Sequence, residues 1–342
     1  MRIGLTYDLK EAVNLASPSV VQPEDALEEY DSVETIKGIA TALEENGHTV
    51  VNLSGGRDFL AGIQKDKVDL VFNIAEGRGN YRSREAQVPG VLEMLNIPYT
   101  GSDPLTLAVC LDKPLTKQLV AAAGVATPRW EILSDPHDME KMDWNTFPFP
   151  VFIKPVHEGS SIGIRSGSKI ETPAKLSSAI TTLIERYHQP VMVEEFIVGE
   201  EITTGVIGNS PPNILGIMRV IPRKPDENFI YSLEVKRDWE RLVDYEAPAK
   251  LKPSILDRIA ESALKAYTVL GCRDISRVDF RVGRDGVPYF LEINPLPGLN
   301  PKSGDIVIMS RIMGWKYSSL ISAVVNAALK RYAGESPGNN RL

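Results

Sequence analysis

Arg277-Val278-Asp279-Phe280-Arg281 and, thirteen positions beyond Asp279, Leu291-Glu292-Ile293-Asn294-Pro295 decide the fold. Both are apolar, β-prone runs broken by a carboxylate, and Arg284-Asp285-Gly286 between them has hairpin-turn chemistry. Strands over 276–282 and 289–293 therefore pair antiparallel and bring Asp279 near Glu292. Two carboxylates on adjacent buried strands repel unless a proton or a cation lies between them. With the amide oxygen of Asn294 they form a hard-oxygen set that suits Mg2+ (or Mn2+), phosphate oxygens and water completing the octahedron. Arg277 shares a strand face with Asp279 by the period of two. A purely structural Arg–Asp pair is the competing reading.

Downstream, Pro297-Gly298-Leu299-Asn300-Pro301-Lys302-Ser303-Gly304 is a glycine-containing turn leading into a helix, able to offer backbone donors to a developing oxyanion. Upstream, Ile202–Ile207 and Ile214–Val220 read as strands, and Ser254–Leu270 and Lys316–Tyr332 as helices. Further upstream, Lys154 ends the strand Val151–Lys154 and precedes a glycine-serine turn at 159–163. Such a loop can aim N–H groups at anionic oxygens with the lysine as a point charge; an ordinary β-turn is the alternative. A helix over 173–187 leads to Val191–Phe196, a strand with no alternation of polarity. The neighbours Glu194 and Glu195 then point to opposite faces, one towards a cleft and one towards solvent, unless both are solvated edge charges.

The first third alternates strands (Arg2–Tyr7, Thr49–Leu53, Val68–Asn73, Ile97–Tyr99) with helices (Ser32–Asn46, Val88–Leu95), which implies a parallel α/β sheet. Residues 9–31 are irregular and acidic towards their end. Asp112–Ala123 reads as a helix closed by Gly124, and 134–150 as a surface connection. The expected division is 1–103, an α/β substrate domain; 104–194; 195–334, bearing the metal and catalytic residues; and a frayed tail, 335–342.

The chain of 342 residues has a net charge of -7, which argues against a general nucleic-acid or anionic-membrane partner. Its two cysteines, Cys110 and Cys272, give no disulfide framework and read as small core residues, so the cytoplasm is the expected location. There is no room for a signal-peptide apolar region after Tyr7, and no run long enough to span a membrane.

Together the clusters resemble the D-alanine–D-alanine ligase family of the ATP-grasp superfamily, from about residue 33 to 331. The resemblance rests on Gly77, Ile97-Pro98-Tyr99-Thr100-Gly101-Ser102, Asp112-Lys113, Lys154-Pro155, Glu158-Gly159-Ser160-Ser161, Glu194 with Gly199 and Glu201, Leu270-Gly271-Cys272, Arg277 with Asp279, and Leu291-Glu292 with Asn294, Pro297, Gly298 and Ser303. It implies three α/β domains with ATP gripped between the central and C-terminal ones. It implies Lys113 and Lys154 on the ATP phosphates, Ser160 and Ser161 in the covering loop, and Glu194, Glu195, Phe196, Ile197 and Glu201 around adenine and ribose. Lys236 resembles a phosphate-contacting lysine of a mobile loop. Asp279, Glu292 and Asn294 resemble metal ligands, Arg277 and the Gly298 amide the groups on a tetrahedral intermediate, and Ser303 a hydroxyl on a substrate carboxylate. The implied chemistry is an acyl phosphate made from ATP and a carboxylate, then attacked by an amine, on small-molecule substrates and within cell-wall peptidoglycan synthesis. A homodimer is the assembly such a chain allows.

Three positions depart from the family. Glu76-Gly77 stands where His-Gly is usual, Arg237 follows Lys236 where a tyrosine is usual, and the acidic residue that orients the first amino acid has only Glu29 or Asp31 as candidates. All three belong to the amino-acid sites. Joining two D-alanines is the leading expectation; a ligase for another amino acid or carboxylate and a nucleotide-binding protein without ligase activity are the alternatives. Glu76 favours a cationic partner and Arg237 an extra carboxylate, unless the two pair with each other or Arg78, Arg82 or Arg84 satisfies Glu76.

Overall fold

The computed structural model describes residues 1–13, 23–144 and 146–334. The sequence expectations for the tail 335–342 lie outside it, as does part of the irregular stretch 9–31.

The first sheet grows from three short runs, β1 (Arg2–Thr6), β2 (Thr49–Asn52) and β3 (Leu70–Asn73), parallel in the order β2-β1-β3. Alternation along the strands gives the sheet two apolar faces. Ile3, Leu5, Leu70 and Phe72 pack on α1 (Val33–Glu45), whose Ile36, Ile39 and Leu43 repeat at helical spacing. Ser32 caps α1 by accepting from the Thr35 N–H at 3.3 Å. Val71 faces the other way, onto Phe59 and Ile63 of α2 (Gly56–Lys65) and Val88 and Leu92 of α3 (Gln87–Met94). Helix α2 was not expected from sequence. Ile97–Tyr99, expected as a strand, contributes a single bridge between Tyr99 and Val71.

Asp112 divides the next helical stretch in two. α4 (Pro104–Leu111) ends there, and the Asp112 carboxylate accepts from the Leu115 N–H at 3.1 Å to start α5 (Lys113–Ala122). The second sheet is antiparallel, β4-β7-β5-β6, from β4 (Trp130–Leu133), β5 (Val151–Pro155), β6 (Lys169–Ile170) and β7 (Val191–Glu195), with α6 (Pro173–Tyr187) across it. Residues 134–150 are more than the surface connection expected. Trp144 and Phe147 are buried in the core under this sheet, because two large aromatic side chains gain more from burial than their polar neighbours lose.

The third sheet carries the hairpin. Its order is β10-β9-β8-β11-β12, all antiparallel, from β8 (Gly199–Ile207), β9 (Asn213–Pro222), β10 (Val243–Glu246), β11 (Ile275–Gly283) and β12 (Pro288–Asn294). Two short helices, α7 (Leu233–Arg237) and α8 (Trp239–Leu242), lie between β9 and β10. α9 (Pro253–Val269) covers one face; Met309 of α10 (Asp305–Ile312) lies against Gly205 and Gly216 on the other. The last helix, α11 (Tyr317–Gly334), returns to the first sheet and sets Leu320, Ile321, Val324 and Val325 beside Ile39 and Leu43. No helix among the described residues is long and apolar enough to cross a membrane.

One buried carboxylate ties the ends of this path together. Asp274 is fully buried and accepts from the Gly101 N–H at 2.8 Å, Asn209 Nδ2 at 2.8 Å and Arg331 Nη2 at 2.9 Å. Removing one partner of a buried ion pair strands the other charge, at a cost of about 3–5 kcal/mol. Asp274→Ala is therefore expected to lower the unfolding free energy by about that amount, read from urea denaturation.

Candidate active site

The β11–β12 register places Asp279 opposite Glu292 and Arg277 opposite Asn294. The like charges are held by the cations around them. Arg277 Nε donates to Asp279 Oδ2 at 2.9 Å, its Nη2 lies 3.6 Å from Glu292 Oε1, and its Nη1 lies 3.4 Å from Asp305 Oδ2. Thr203 Oγ1 donates to Asp279 Oδ1 at 2.9 Å from β8, and Lys113 Nζ approaches Glu292 Oε2 at 3.9 Å. Burial raises the Asp279 carboxyl, with Arg277 opposing. Burial would raise Glu292 too, but Lys113, Lys154, Arg277 and Lys236 outweigh it and hold that carboxyl down at about 2. Asn294 Nδ2 lies 3.4 Å from both Asp279 and Glu292. Turning that amide over puts Oδ1 beside the two carboxylates, a hard-oxygen donor set of the kind magnesium takes. Among the described residues no group of three or more His, Cys, Asp or Glu has metal-holding geometry.

Facing this hairpin, β5 and β7 carry a second charged cluster. Lys154 is a diagonal cross-strand neighbour of Glu194 and meets its Oε1 at 2.7 Å. Lys117 meets Oε2 at 3.0 Å and also donates to Thr127 Oγ1 at 2.8 Å. Burial raises Glu194, and the two lysines more than reverse it. Burial brings the Lys117 ammonium down to about 8. Two ammoniums thus meet the Glu194 carboxylate, which borders the pocket between the sheets, and Glu195 lines the same pocket and is half-buried instead of facing open solvent. Sequence reading missed Lys117, although it stands one helical turn beyond Lys113 on α5. Between the two sheets a pocket is lined by Lys154, Ser161, Glu195, Phe196, Ile197 and Glu201. Glu201 is paired with Arg281 at 3.0 Å, and burial raises its carboxyl.

Ser160 and Ser161 have φ of 48° and 60°, and the Ile162 N–H donates to the Gly159 carbonyl at 2.9 Å. This is a tight turn with both central residues left-handed, which fixes where the two hydroxyls project. Lys236 on α7 stands 5.1 Å above the Tyr231 ring, and Tyr231 donates to Asp305 at 2.8 Å. Asp305, in the first turn of α10, is a second group the sequence did not disclose.

A cavity of about 420 Å³ joins these parts to the first domain. Ser160, Lys236, Arg277, Gly298 and Ser303 line one side, and Glu29, Asp31, Glu76, Glu85 and Glu158 the other. Gly77 at φ 84° lets Glu76 reach it, since a Cβ there would collide with the Arg84 carbonyl, and its N–H donates to Asp8 at 2.8 Å. Arg84 binds Glu29 at 2.6 Å and Glu158 at 3.2 Å; Arg78 pairs with Asp8 and Arg82 with Asp112. Arg237 is taken by Glu28 at 2.6 Å and does not pair with Glu76. Its charge is therefore compensated within the protein, and none of Arg78, Arg82 and Arg84 is hydrogen-bonded to Glu76.

A family model described as D-ala D-ala ligase C-terminus matches residues 119–326, more than half of the chain. The chain belongs to the D-alanine–D-alanine ligase family. It is 33% identical over 299 residues to the D-alanine–D-alanine ligase of Aquifex aeolicus, covering 86% of this chain and 94% of that protein. It is 33% identical over 305 residues to the uncharacterized protein y4sG of Sinorhizobium fredii, covering 86% and 88%. The fold is that of the Bacillus anthracis D-alanine–D-alanine ligase solved with ATP, at TM-score 0.74 and 23% identity, over 98% of this chain and all of that one. Membership fixes the mixed α/β ATP-grasp fold and the reaction class, an ATP-dependent ligase that forms a peptide bond.

Two outcomes test these electrostatics within the family frame. Lys117→Met leaves the buried Glu194 with one counter-charge and is expected to cost about 3 kcal/mol in chemical denaturation. The second concerns pH. Burial, with Asp8 adding to it and Lys10 opposing, raises Asp31 to about 8; burial, opposed by Arg84, raises Glu85 to about 7. The native state then keeps protons that the unfolded chain releases near pH 4, so these groups favour folding below pH ~4 and lose that contribution as pH rises towards 8. Asp31→Asn should flatten the fall in the urea midpoint between pH 5 and 8. Glu292 acts in a separate window, below its unfolded value.

Proposed function

We propose that the hairpin cluster and the lysines facing it carry out carboxylate activation by ATP followed by amide formation. The observation that carries this is Asp279 and Glu292 in cross-strand register beside Asn294 and Arg277, with Lys113 from the start of α5 and Lys154 from β5 of the facing sheet converging on them. Lys113 and Lys154 bind the phosphates, with Lys236 closing over them. Phe196, Ile197 and Glu201 hold adenine and ribose, helped by Glu195 and the backbone of the strand end, while Glu194 sets the position of Lys154. Magnesium (or manganese) on Asp279, Glu292 and Asn294 supplies neutralisation of the phosphate oxygens when bound.

A substrate carboxylate oxygen attacks the γ-phosphorus, the bond to the β-phosphate oxygen breaks, and ADP leaves. The amine of the second substrate attacks the acyl carbon, phosphate departs with the carboxylate oxygen, and the amine proton is lost. Arg277 and the Gly298 N–H stabilise the oxyanion of the tetrahedral intermediate. The Ser303 hydroxyl, which has no protein partner among the described residues, holds a substrate carboxylate, and the Ser160–Ser161 turn keeps water from the acyl phosphate. The relatives' names make D-alanine the reference substrate, and with it peptidoglycan synthesis. The net charge of -7, the two free buried thiols and the absence of a membrane-length helix among the described residues support a cytoplasmic enzyme acting on small molecules.

Asp279→Asn and Glu292→Gln are each expected to cut ATP turnover at least a hundredfold with the circular-dichroism spectrum unchanged; near-wild-type turnover in either removes the hairpin from the chemistry. Lys154→Ala loses a charge-assisted contact of about 1.5–3 kcal/mol and should weaken ATP binding about tenfold or more, measured by calorimetry.

A further inference from the structure

The wall of the cavity formed by the first domain is short of positive charge. Besides Glu28, which Lys10 and Arg237 hold, its carboxyls are Glu29, Asp31, Glu76 and Glu85, and Glu158 of the 104–194 segment joins them at the cavity. One cation, Arg84, is hydrogen-bonded to any of them among the described residues, and it is used up. Its Nε and Nη2 go to Glu29, Nη2 also to Glu158, and Nη1 to the His157 carbonyl at 2.9 Å. The other basic groups nearby are engaged elsewhere: Lys10 and Arg237 on Glu28, Arg78 on Asp8, and Lys113 on the Glu158 carbonyl and Glu292. Asp31, Glu76 and Glu85 are left with no side-chain hydrogen bond or ion pair among the described residues. Glu85 is only 9% exposed, and what it faces is the cavity.

A buried carboxyl without a partner is costly, and natural folds retain one where a ligand supplies the partner. We propose that this wall selects a substrate amino acid with a cationic side chain, an ammonium or guanidinium that Glu76 and Glu85 receive. The inference rests on the ligase reading above and names the substrate class of that same site. The count of charges supports it. The α-ammonium of a neutral amino acid matches one of the three unpartnered carboxyls. A side-chain cation gives the other two a shared partner. Burial and the neighbouring Glu85, Glu29 and Asp31 also push the Glu76 carboxyl well up, as befits a group whose counter-charge arrives with a ligand. Arg237 offers no rival site for an extra carboxylate, since Glu28 holds it.

The test uses the full chain with ATP and magnesium, reading phosphate release with D- and L-alanine, serine, ornithine, lysine and arginine, alone and in pairs. The best basic amino acid is expected to have kcat/KM at least tenfold above that of alanine. Glu76→Gln and Glu85→Gln should each reduce that ratio about tenfold, the loss of one charge-assisted contact. Both variants should also keep or raise the melting temperature, because each removes a repelling carboxyl; a merely structural role predicts a loss. If alanine matches or exceeds every basic amino acid in the wild-type enzyme, or if the ratio is unmoved in both variants, the inference falls and the ligase reading stands. If no amino acid releases phosphate, both fall together. Should a variant fold poorly, the wild-type ranking decides alone.

Discussion

Two carboxylates forced face to face by strand register, Asp279 and Glu292, set the terms for everything around them. Neither can be buried charged without a counter-charge. The protein answers from four directions: Arg277 from the same strand, Thr203 from the neighbouring strand, Lys113 from a helix start and Lys236 from a short helix over the cleft. Arg277 and Thr203 belong to the same sheet as the hairpin, whereas Lys113 and Lys236 come from helices far from it in the chain, so those helices must pack against the hairpin for the cluster to exist. The pocket lined by Phe196, Ile197 and Glu201 lies between the second and third sheets, and the larger cavity opens towards the first.

The charged clusters differ in how complete they are. Glu194 with Lys117 and Lys154 is closed: two ammoniums on one carboxylate, all buried, with the lysine positions fixed by a helix and a strand. The hairpin cluster is nearly balanced but keeps an amide that can turn. The wall around Glu76 and Glu85 is unbalanced. Completeness falls from the Glu194 cluster, through the hairpin, to the cavity wall around Glu76 and Glu85.

The hairpin was legible in the sequence because its information is local: a turn triplet, two apolar runs and a fixed count between two carboxylates. Glu194 and Glu195 were legible in part, since alternation sends neighbours to opposite faces but both border the pocket between the sheets. The partners were not. Nothing near Glu194 in the chain announces that Lys117 will reach it, although the four-residue step from Lys113 puts both lysines on one helical face. Asp305 acts through Arg277 and Tyr231, more than twenty residues away in the chain, and Arg84 through Glu29, Glu158 and the His157 carbonyl, contacts that no local pattern announces. Helices α2 and α4 escaped for a different reason. Glycine opens the first and Asp112 divides the second from α5, so each reads as a short run without a clear start or stop. Trp144 and Phe147 sit in a polar, proline-rich stretch whose composition hides two core residues.

The return of α11 to the first sheet has a consequence for how the chain is made. The apolar face built from Ile3, Leu5, Ile39 and Leu43 is covered by Leu320, Ile321, Val324 and Val325, and Arg331 locks the Asp274 carboxylate. During synthesis the amino-terminal segment therefore emerges with that face bare and waits for nearly the whole chain before its cover exists. Residues 1–103 cannot mature on the ribosome as a finished unit, unlike a domain whose core is contiguous in sequence. A nascent chain halted short of α11 would expose this surface to holding chaperones and to proteases, and release of the last helix is the event that completes the beginning of the protein.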